Sequence, residues 1–324
     1  MDLRGDDGGA WNILARGRPV GAARSPGLGI VSDDPHVGAR PRWRVSRELR
    51  PEGTVVDLGR GVLLGGPEVV VMAGPCAVEG RTQMLEIAEA ARAAGAAVLR
   101  GGAFKPRTSP HSFQGLGVRG LELLAEARAA TGMPVVTEAV DTESVPLVAE
   151  YADMIQVGAR NMQNFGLLRR VGGTGKRVLL KRGVGATVDE LLLAAEYILA
   201  EGNEAVALCE RGVRGFDPAA PRVFDLNAIP LLRALTHLPL VADPSHGTGV
   251  RAHVAPMARA AVAAGADGII VEVHTNPSEA RSDGDQSIYP GQLRELVPEC
   301  EAVARAVGRS LASPTAAPAA GGDP

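Results

Sequence analysis

From Glu68 onward, eight short apolar, β-branched runs recur at regular intervals, and this rhythm constrains the fold more than any other feature of the chain. The runs are EVVVMAGPC, AAVLRGG, PVVTEAV, DMIQVGA, RVLLKRG, EAVALCERG, LPLVADPSH and DGIIVEVH. Between them lie Ala/Leu-rich amphipathic stretches such as TQMLEIAEAARAAG, VRGLELLAEARAATG, VDELLLAAEYILAEG and VAPMARAAVAAG, several ending on a glycine suited to a helix C-cap. Strand, helix, strand, helix over this length requires parallel strands joined by crossovers. The strands are apolar almost throughout, so the sheet is expected to be covered on both faces. Eight such units close a (β/α)8 barrel of the TIM type. An open doubly wound sheet is the alternative, but no GxGxxG turn follows the first run.

The barrel is expected over residues 43–309. Residues 1–42 are rich in Gly, Pro, Arg and Asp without a sustained period, and read as disordered or loosely packed. The end from Ser310 to Pro324 (SLASPTAAPAAGGDP) reads as a disordered, low-complexity tail. Thr54–Leu58 and Gly61–Leu64 read as a short β-hairpin turning at Gly59-Arg60, an extension able to plug the closed end of the barrel. Aromatic residues make up only 3% of the chain, so the core must be built from Val, Leu, Ile and Ala.

A net charge of −3 gives no reason to expect a nucleic-acid partner. Three cysteines, Cys76, Cys209 and Cys300, are too few and odd in number for a disulfide framework and suit a reducing compartment. Asp2, Arg4, Asp6 and Asp7 open the chain with no apolar run behind them, and no 18-residue uncharged apolar stretch exists. The expectation is a cytoplasmic protein with no membrane span.

In this fold the chemistry lies at the C-terminal ends of the strands. Those ends carry Cys76, Arg100, Glu138, Gln156, Arg160, Lys181, Glu210, Arg211, Asp243, His246, Glu272 and His274. A thiol, an imidazole and two carboxylates, from Cys76, His246, Glu272 and Asp283, form a ligand set for one divalent ion, with Mn, Zn, Fe and Co all suitable. They are far apart in sequence, and only barrel closure, which makes strands one and eight neighbours, brings them together. His274 reads as a residue of the loop or a support to the ligands. Arg100, Lys105, Arg107, Arg160, Lys181 and Arg211 form a second, cationic set, tolerable around one mouth only where anionic substrates bind. The Gly/Pro-rich segment GGAFKPRTSPHSFQGLG adds Thr108, Ser109 and backbone amides able to wrap phosphate oxygens.

Together GPCAVE, LRGGAFKPRTSPHSFQGLG, TEAVD, QVGARNMQNFGLL, LLKRG, ERGVRGF, DPSHGTG and EVHTNPSEARSDGDQS resemble the 3-deoxy-D-arabino-heptulosonate 7-phosphate (DAHP) synthases. The nearer branch is the compact microbial class I one, related to 3-deoxy-D-manno-octulosonate 8-phosphate synthase. The resemblance runs in order from about Trp43 to about Arg305. It implies a transferase, 3-deoxy-7-phosphoheptulonate synthase, that joins phosphoenolpyruvate, erythrose 4-phosphate and water in the first step of the shikimate pathway of aromatic amino acid biosynthesis.

Carried over by position, Cys76, His246, Glu272 and Asp283 match the metal ligands. Arg100, Lys105, Ala159, Arg160, Lys181 and Arg211 match phosphoenolpyruvate contacts, and Arg107, Thr108 and Ser109 match the aldose phosphate site. Lys105, Glu138 and His246 are the candidate catalytic residues: Lys105 as a proton donor whose pKa the surrounding cations would lower, Glu138 as a group managing the attacking water. KPRTS favours the four-carbon aldose, since the octulosonate enzymes, the alternative reading with arabinose 5-phosphate as acceptor, usually carry Asn in this pattern. A metal-dependent pyruvate aldolase and a non-catalytic phosphosugar-binding barrel are further alternatives. His111 stands where the family usually has Tyr, and APRVFDLNAIP is less typical than its surroundings. The resemblance also implies a homodimer or homotetramer. It leaves residues 1–42 too short and irregular for the regulatory domain some members carry.

Overall fold

The computed structural model describes residues 43–106 and 109–313. Eight parallel strands follow one another around the sheet: β1 Glu68–Gly74, β2 Val98–Arg100, β3 Val135–Ala139, β4 Met154–Val157, β5 Arg177–Lys181, β6 Val206–Glu210, β7 Leu240–Ala242 and β8 Gly268–Glu272. Each pairs with the next, and β8 pairs back onto β1 in the register Gly268↔Val70 to Glu272↔Gly74, which closes the (β/α)8 barrel. Helices cover the outside, among them Arg81–Ala93, Val118–Thr131, Val188–Ala200 and Arg251–Ala263. Thr187 starts one of them with a capping box: its side chain accepts from Glu190 N, and Glu190 reaches back to Thr187 N.

Alternation along each strand sorts side chains into two layers. Outward residues such as Val69, Val71, Leu99, Ile155, Leu180, Leu208 and Val271 pack against the helices. Inward residues Val70, Met72, Val98, Val136, Met154, Leu179, Cys209, Val241 and Ile270 form a second cluster inside the barrel. Two residues further along, the same inward face carries Arg100, Glu138, Gln156, Lys181, Arg211, Asp243 and Glu272. Strand periodicity thus stacks a polar layer at the C-terminal end on an apolar one below.

The lower end is closed by the expected hairpin. Val56–Asp57 pairs antiparallel with Leu63–Leu64, and the turn places Gly59, Arg60 and Gly61 at φ of 90, 56 and 80°. Its Val56, Leu58, Val62 and Leu64 are buried in the cluster that fills the barrel. Gly74 ends β1 at φ 155°, where a Cβ would sit 2.0 Å from the Arg100 carbonyl oxygen, so only glycine fits this close approach of β1 to β2.

Two features depart from expectation. Ser310, taken as the start of a disordered tail, instead begins a strand: Ser310–Leu311 pairs in parallel with Glu68–Val69, and Ala312 N donates to Val69 O at 3.0 Å. Arg309 anchors it by donating to Gly66 O at 3.1 Å and Glu68 O at 3.2 Å. This pairing uses backbone groups and is independent of side-chain composition. Second, the loop after β6 folds into a small antiparallel hairpin of Val213–Arg214 with Arg222–Val223. Residues 1–42 lie outside the described residues.

Candidate active site

At the C-terminal mouth, Cys76, His246, Glu272 and Asp283 each present one ligand atom, and these atoms all lie within 4.8 Å of one another. Cys76 follows β1, and its Sγ donates to Asp283 Oδ2 at 3.0 Å. His246 is placed by local chain logic. Asp243 caps a short helix, Pro244–Thr248, with Pro at its first position, and its Oδ1 accepts from His246 N at 2.9 Å. That turn returns the imidazole to the cap residue, so Nδ1 donates to Asp243 Oδ2 at 2.8 Å while Nε2 stands 3.5 Å from Glu272 Oε1. Asp283 adopts the left-handed conformation at φ 53°, which Asp tolerates better than most residues.

The four residues fit a metal on chemical grounds. Their separations match the shell of a single ion, about 4–5 Å across. The Nδ1 atom of His246 is engaged by a carboxylate, which leaves Nε2 as a lone-pair donor, the usual arrangement of a ligating histidine. Two carboxylates and a thiol packed together also call for a cation. Burial, reinforced by the Glu272 charge, pushes the Cys76 thiol up to about 12. Burial works against ionisation of Asp283, yet the Cys76 hydrogen bond and the nearby His246 and Lys105 outweigh it and hold the carboxyl well below its usual range. Glu272 is likewise lowered, as His246 and Arg100 overcome its burial.

Beside this cluster opens a cleft of about 430 Å³, lined by Arg100, Lys105, Ala159, Arg160, Lys181, Arg211, Arg214 and Arg222 among others, with Glu138, His246 and Asp283 as its acidic and imidazole groups. Arg100 Nη1 reaches Glu272 Oε1 at 3.1 Å, Lys181 Nζ pairs with Asp243 Oδ2, and Arg160 Nη1 donates to Pro106 O at 3.3 Å. Glu138 lies across the end of β4, where its Oε2 accepts from Gln156 Nε2 at 2.8 Å. Excess positive charge in a partly enclosed cleft favours anionic ligands.

The structure brings together all four expected metal ligands and most of the expected cations. Ser109 does not join them: it is exposed and caps a turn through His111 N at 3.3 Å. Arg107 and Thr108 lie outside the described residues. Glu210, grouped with the mouth residues, points to the helix layer and pairs with Arg182 at 2.8 Å. His274 turns into its loop, its Nδ1 accepting from Asn276 N at 3.0 Å.

Lys105 requires a correction. Its pKa was expected to fall among cations. Burial does push it down, but Nζ lies 3.0 Å from Cys76 Sγ, and the sulfur together with the Glu272 carboxylate outweighs burial and holds the ammonium above the usual lysine value. Sequence reasoning also missed Arg214 and Arg222, which line the cleft from the small hairpin, and Gln286, whose Nε2 donates to Glu272 Oε2 at 2.6 Å. Gln286 sits inside the quoted SDGDQS motif. Arg222 falls in the atypical APRVFDLNAIP stretch.

Comparison with known proteins decides the family: the DAHP synthetase I family model matches residues 53–307. The chain belongs to the DAHP synthetase I family. Within it, phospho-2-dehydro-3-deoxyheptonate aldolase of Thermotoga maritima is 50% identical over 297 residues, covering 87% of this chain and 88% of its own length. A crystal structure of a Thermotoga maritima DAHP synthase superposes with a TM-score of 0.82 at 52% identity, covering 85% of this chain and 80% of that one. Similarity extends to 2-dehydro-3-deoxyphosphooctonate aldolase of Nitratidesulfovibrio vulgaris, at 37% identity over 252 residues, 72% of this chain and 91% of that protein. Among the described residues no helix is long and apolar enough to cross a membrane.

Proposed function

We propose that this DAHP synthetase family member condenses phosphoenolpyruvate with erythrose 4-phosphate and water, giving DAHP and inorganic phosphate, the first step of the shikimate pathway. The observation that carries this reading is the junction of a Cys–His–Glu–Asp ligand cluster with a cleft dominated by Arg and Lys. Identity to the Thermotoga heptonate enzyme, at 50%, exceeds that to the octonate enzyme, at 37%, and favours the four-carbon aldose.

Cys76, His246, Glu272 and Asp283 would hold one divalent ion, and Mn, Zn, Fe and Co all accept such S, N and O donors. When bound, it would supply Lewis acidity toward the aldehyde oxygen. Arg100, Arg160, Lys181 and Arg211, with the Ala159 backbone beside them, neutralise the carboxylate and phosphate of phosphoenolpyruvate and orient its C3 toward the aldehyde carbon. Arg107 and Thr108, by the family resemblance, take the aldose phosphate. Bond formation between C3 and the aldehyde carbon leaves positive charge at C2, where water adds. Glu138 accepts one proton of that water, and C2–O cleavage releases phosphate as the remaining C2 hydroxyl passes its proton to the departing phosphate and becomes the ketone. Lys105, kept protonated by its anionic neighbours, donates to the oxygen that was the aldehyde's.

The test is phosphate release from phosphoenolpyruvate with erythrose 4-phosphate or arabinose 5-phosphate, each with and without chelator. Turnover with the four-carbon aldose that chelator abolishes is expected. A preference for arabinose 5-phosphate would reassign the chain to the octulosonate reaction. Full activity in chelator would remove the metal, and no turnover with either aldose would leave a phosphosugar-binding barrel. We further propose that the protein is cytoplasmic and forms a homodimer or homotetramer; light scattering tests the oligomeric state.

A further inference from the structure

We propose that Arg222, on the small hairpin above the mouth, is a positioning residue for the metal centre, acting through Gln286 on Glu272. Arg222 Nη1 donates to Gln286 Oε1 at 2.9 Å, and Gln286 Nε2 donates to Glu272 Oε2 at 2.6 Å. Gln286 is 3% exposed and Glu272 is 1% exposed, so both are shielded from bulk solvent.

An amide side chain can present either its NH2 or its carbonyl to a neighbour. Facing a carboxylate, the carbonyl would be repelled. Arg222 has only donors, so it claims the Gln286 oxygen and leaves the NH2 for Glu272. This fixes one carboxylate oxygen against Gln286, while the other, Oε1, held by Arg100 Nη1 at 3.1 Å, faces His246 Nε2 at 3.5 Å.

The same guanidinium grips the histidine loop, since Nη1 also donates to His246 O at 3.3 Å. The hairpin presses on that loop elsewhere as well. A Cβ on Gly247 would lie 2.4 Å from the Phe224 ring, and one on Gly212 would lie 2.8 Å from Gly247 Cα. Two metal ligands that follow different strands, His246, also held by Asp243, and Glu272, also held by Arg100, are therefore both braced by one residue from a third element. Arg222 also borders the substrate cleft. An anionic substrate reaching Arg222 would thus act on the ligand geometry through the same side chain.

The inference rests on the metal centre proposed above. Its test uses Co2+ binding to the metal-stripped full chain without substrate, read by chelator competition and by the thiolate-to-cobalt absorption band. Gln286→Leu should weaken Co2+ about 10–100-fold, and Arg222→Ala about tenfold with a shifted ligand-field spectrum. In the Gln286→Leu background, Arg222→Ala should add clearly less than it costs alone, because the two share one path. Arg222→Lys, a point donor without the fork, should restore only part of the loss. Wild-type affinity and spectrum in Arg222→Ala would overturn the relay, as would full additivity of the two substitutions. Absence of any cobalt–thiolate band in the wild type would instead overturn the metal centre itself, and the relay with it.

Discussion

Asp243 Oδ2 accepts from His246 Nδ1 at 2.8 Å and also receives the ammonium of Lys181. One buried carboxylate therefore serves both halves of the mouth, the ligand cluster and the cationic cleft. Its burial opposes ionisation, but His246 and Lys181 prevail and keep it well below the usual aspartate range. Asp243→Asn should weaken divalent-metal binding about 10–100-fold, as loss of a histidine's carboxylate partner does. It should also raise the KM for phosphoenolpyruvate, because Lys181 loses its anchor. Chelator competition and steady-state kinetics read the two effects separately.

The Cys76 thiol sets the pH dependence of metal uptake. Held up to about 12 by burial and Glu272, it is protonated at neutral pH and must release that proton to ligate. Rising pH therefore favours binding. Between pH 7.5 and 9, the logarithm of the Co2+ or Zn2+ association constant should climb by about one for each pH unit. Cys76→Ser should flatten this slope and remove the cobalt–thiolate band. In the metal-free protein the sign is opposite. The unfolded thiol ionises near about 8.5, so the stability the neutral buried thiol contributes is complete below that pH and declines as pH rises toward 12.

Gly158 follows β4, and a Cβ there would stand 2.1 Å from Glu138 Oε1. The obstructed atom is the end of a flexible side chain, so the fold can yield by moving Glu138. Gly158→Ala should change the unfolding free energy by less than about 1 kcal/mol. It should lower kcat by about tenfold or more if Glu138 handles the water proton. Denaturant titration beside single-turnover phosphate release checks this; unchanged kcat would take Glu138 out of the chemistry.

Leu64 is fully buried where the N-terminal hairpin meets the barrel interior. Leu64→Ala should destabilise the fold by about 2–5 kcal/mol. Urea unfolding followed by circular dichroism measures it, and a loss below about 1 kcal/mol would mean that the hairpin is not an integral part of the core.

Much of this architecture was legible because it follows from short-range periodicity. The alternation that buries Val136 and Met154 also aims Glu138 and Gln156 into the mouth, and both facts can be read from five residues of chain. Cys76 and Asp283, 207 positions apart, were reachable through closure of the ring and the family resemblance. Arg222 was not, because the loop carrying it has neither strand nor helix period and its partner Gln286 belongs to another strand's loop. The direction of the Lys105 shift was misjudged for a related reason: sequence reveals how many cations surround a mouth, not that the nearest atom is the Cys76 sulfur. Ser310–Leu311 escaped notice because a two-residue strand has no period to detect.

The interior layer of Val70, Met72, Val98 and Leu179, backed by Val56, Leu58, Val62 and Leu64 of the hairpin, makes the chamber a cul-de-sac. Reactants and products share the rim at the C-terminal ends of the strands, with the buried Arg100 and Lys181 deep within it. The two-strand stopper thus helps to close the barrel on the side opposite the chemistry.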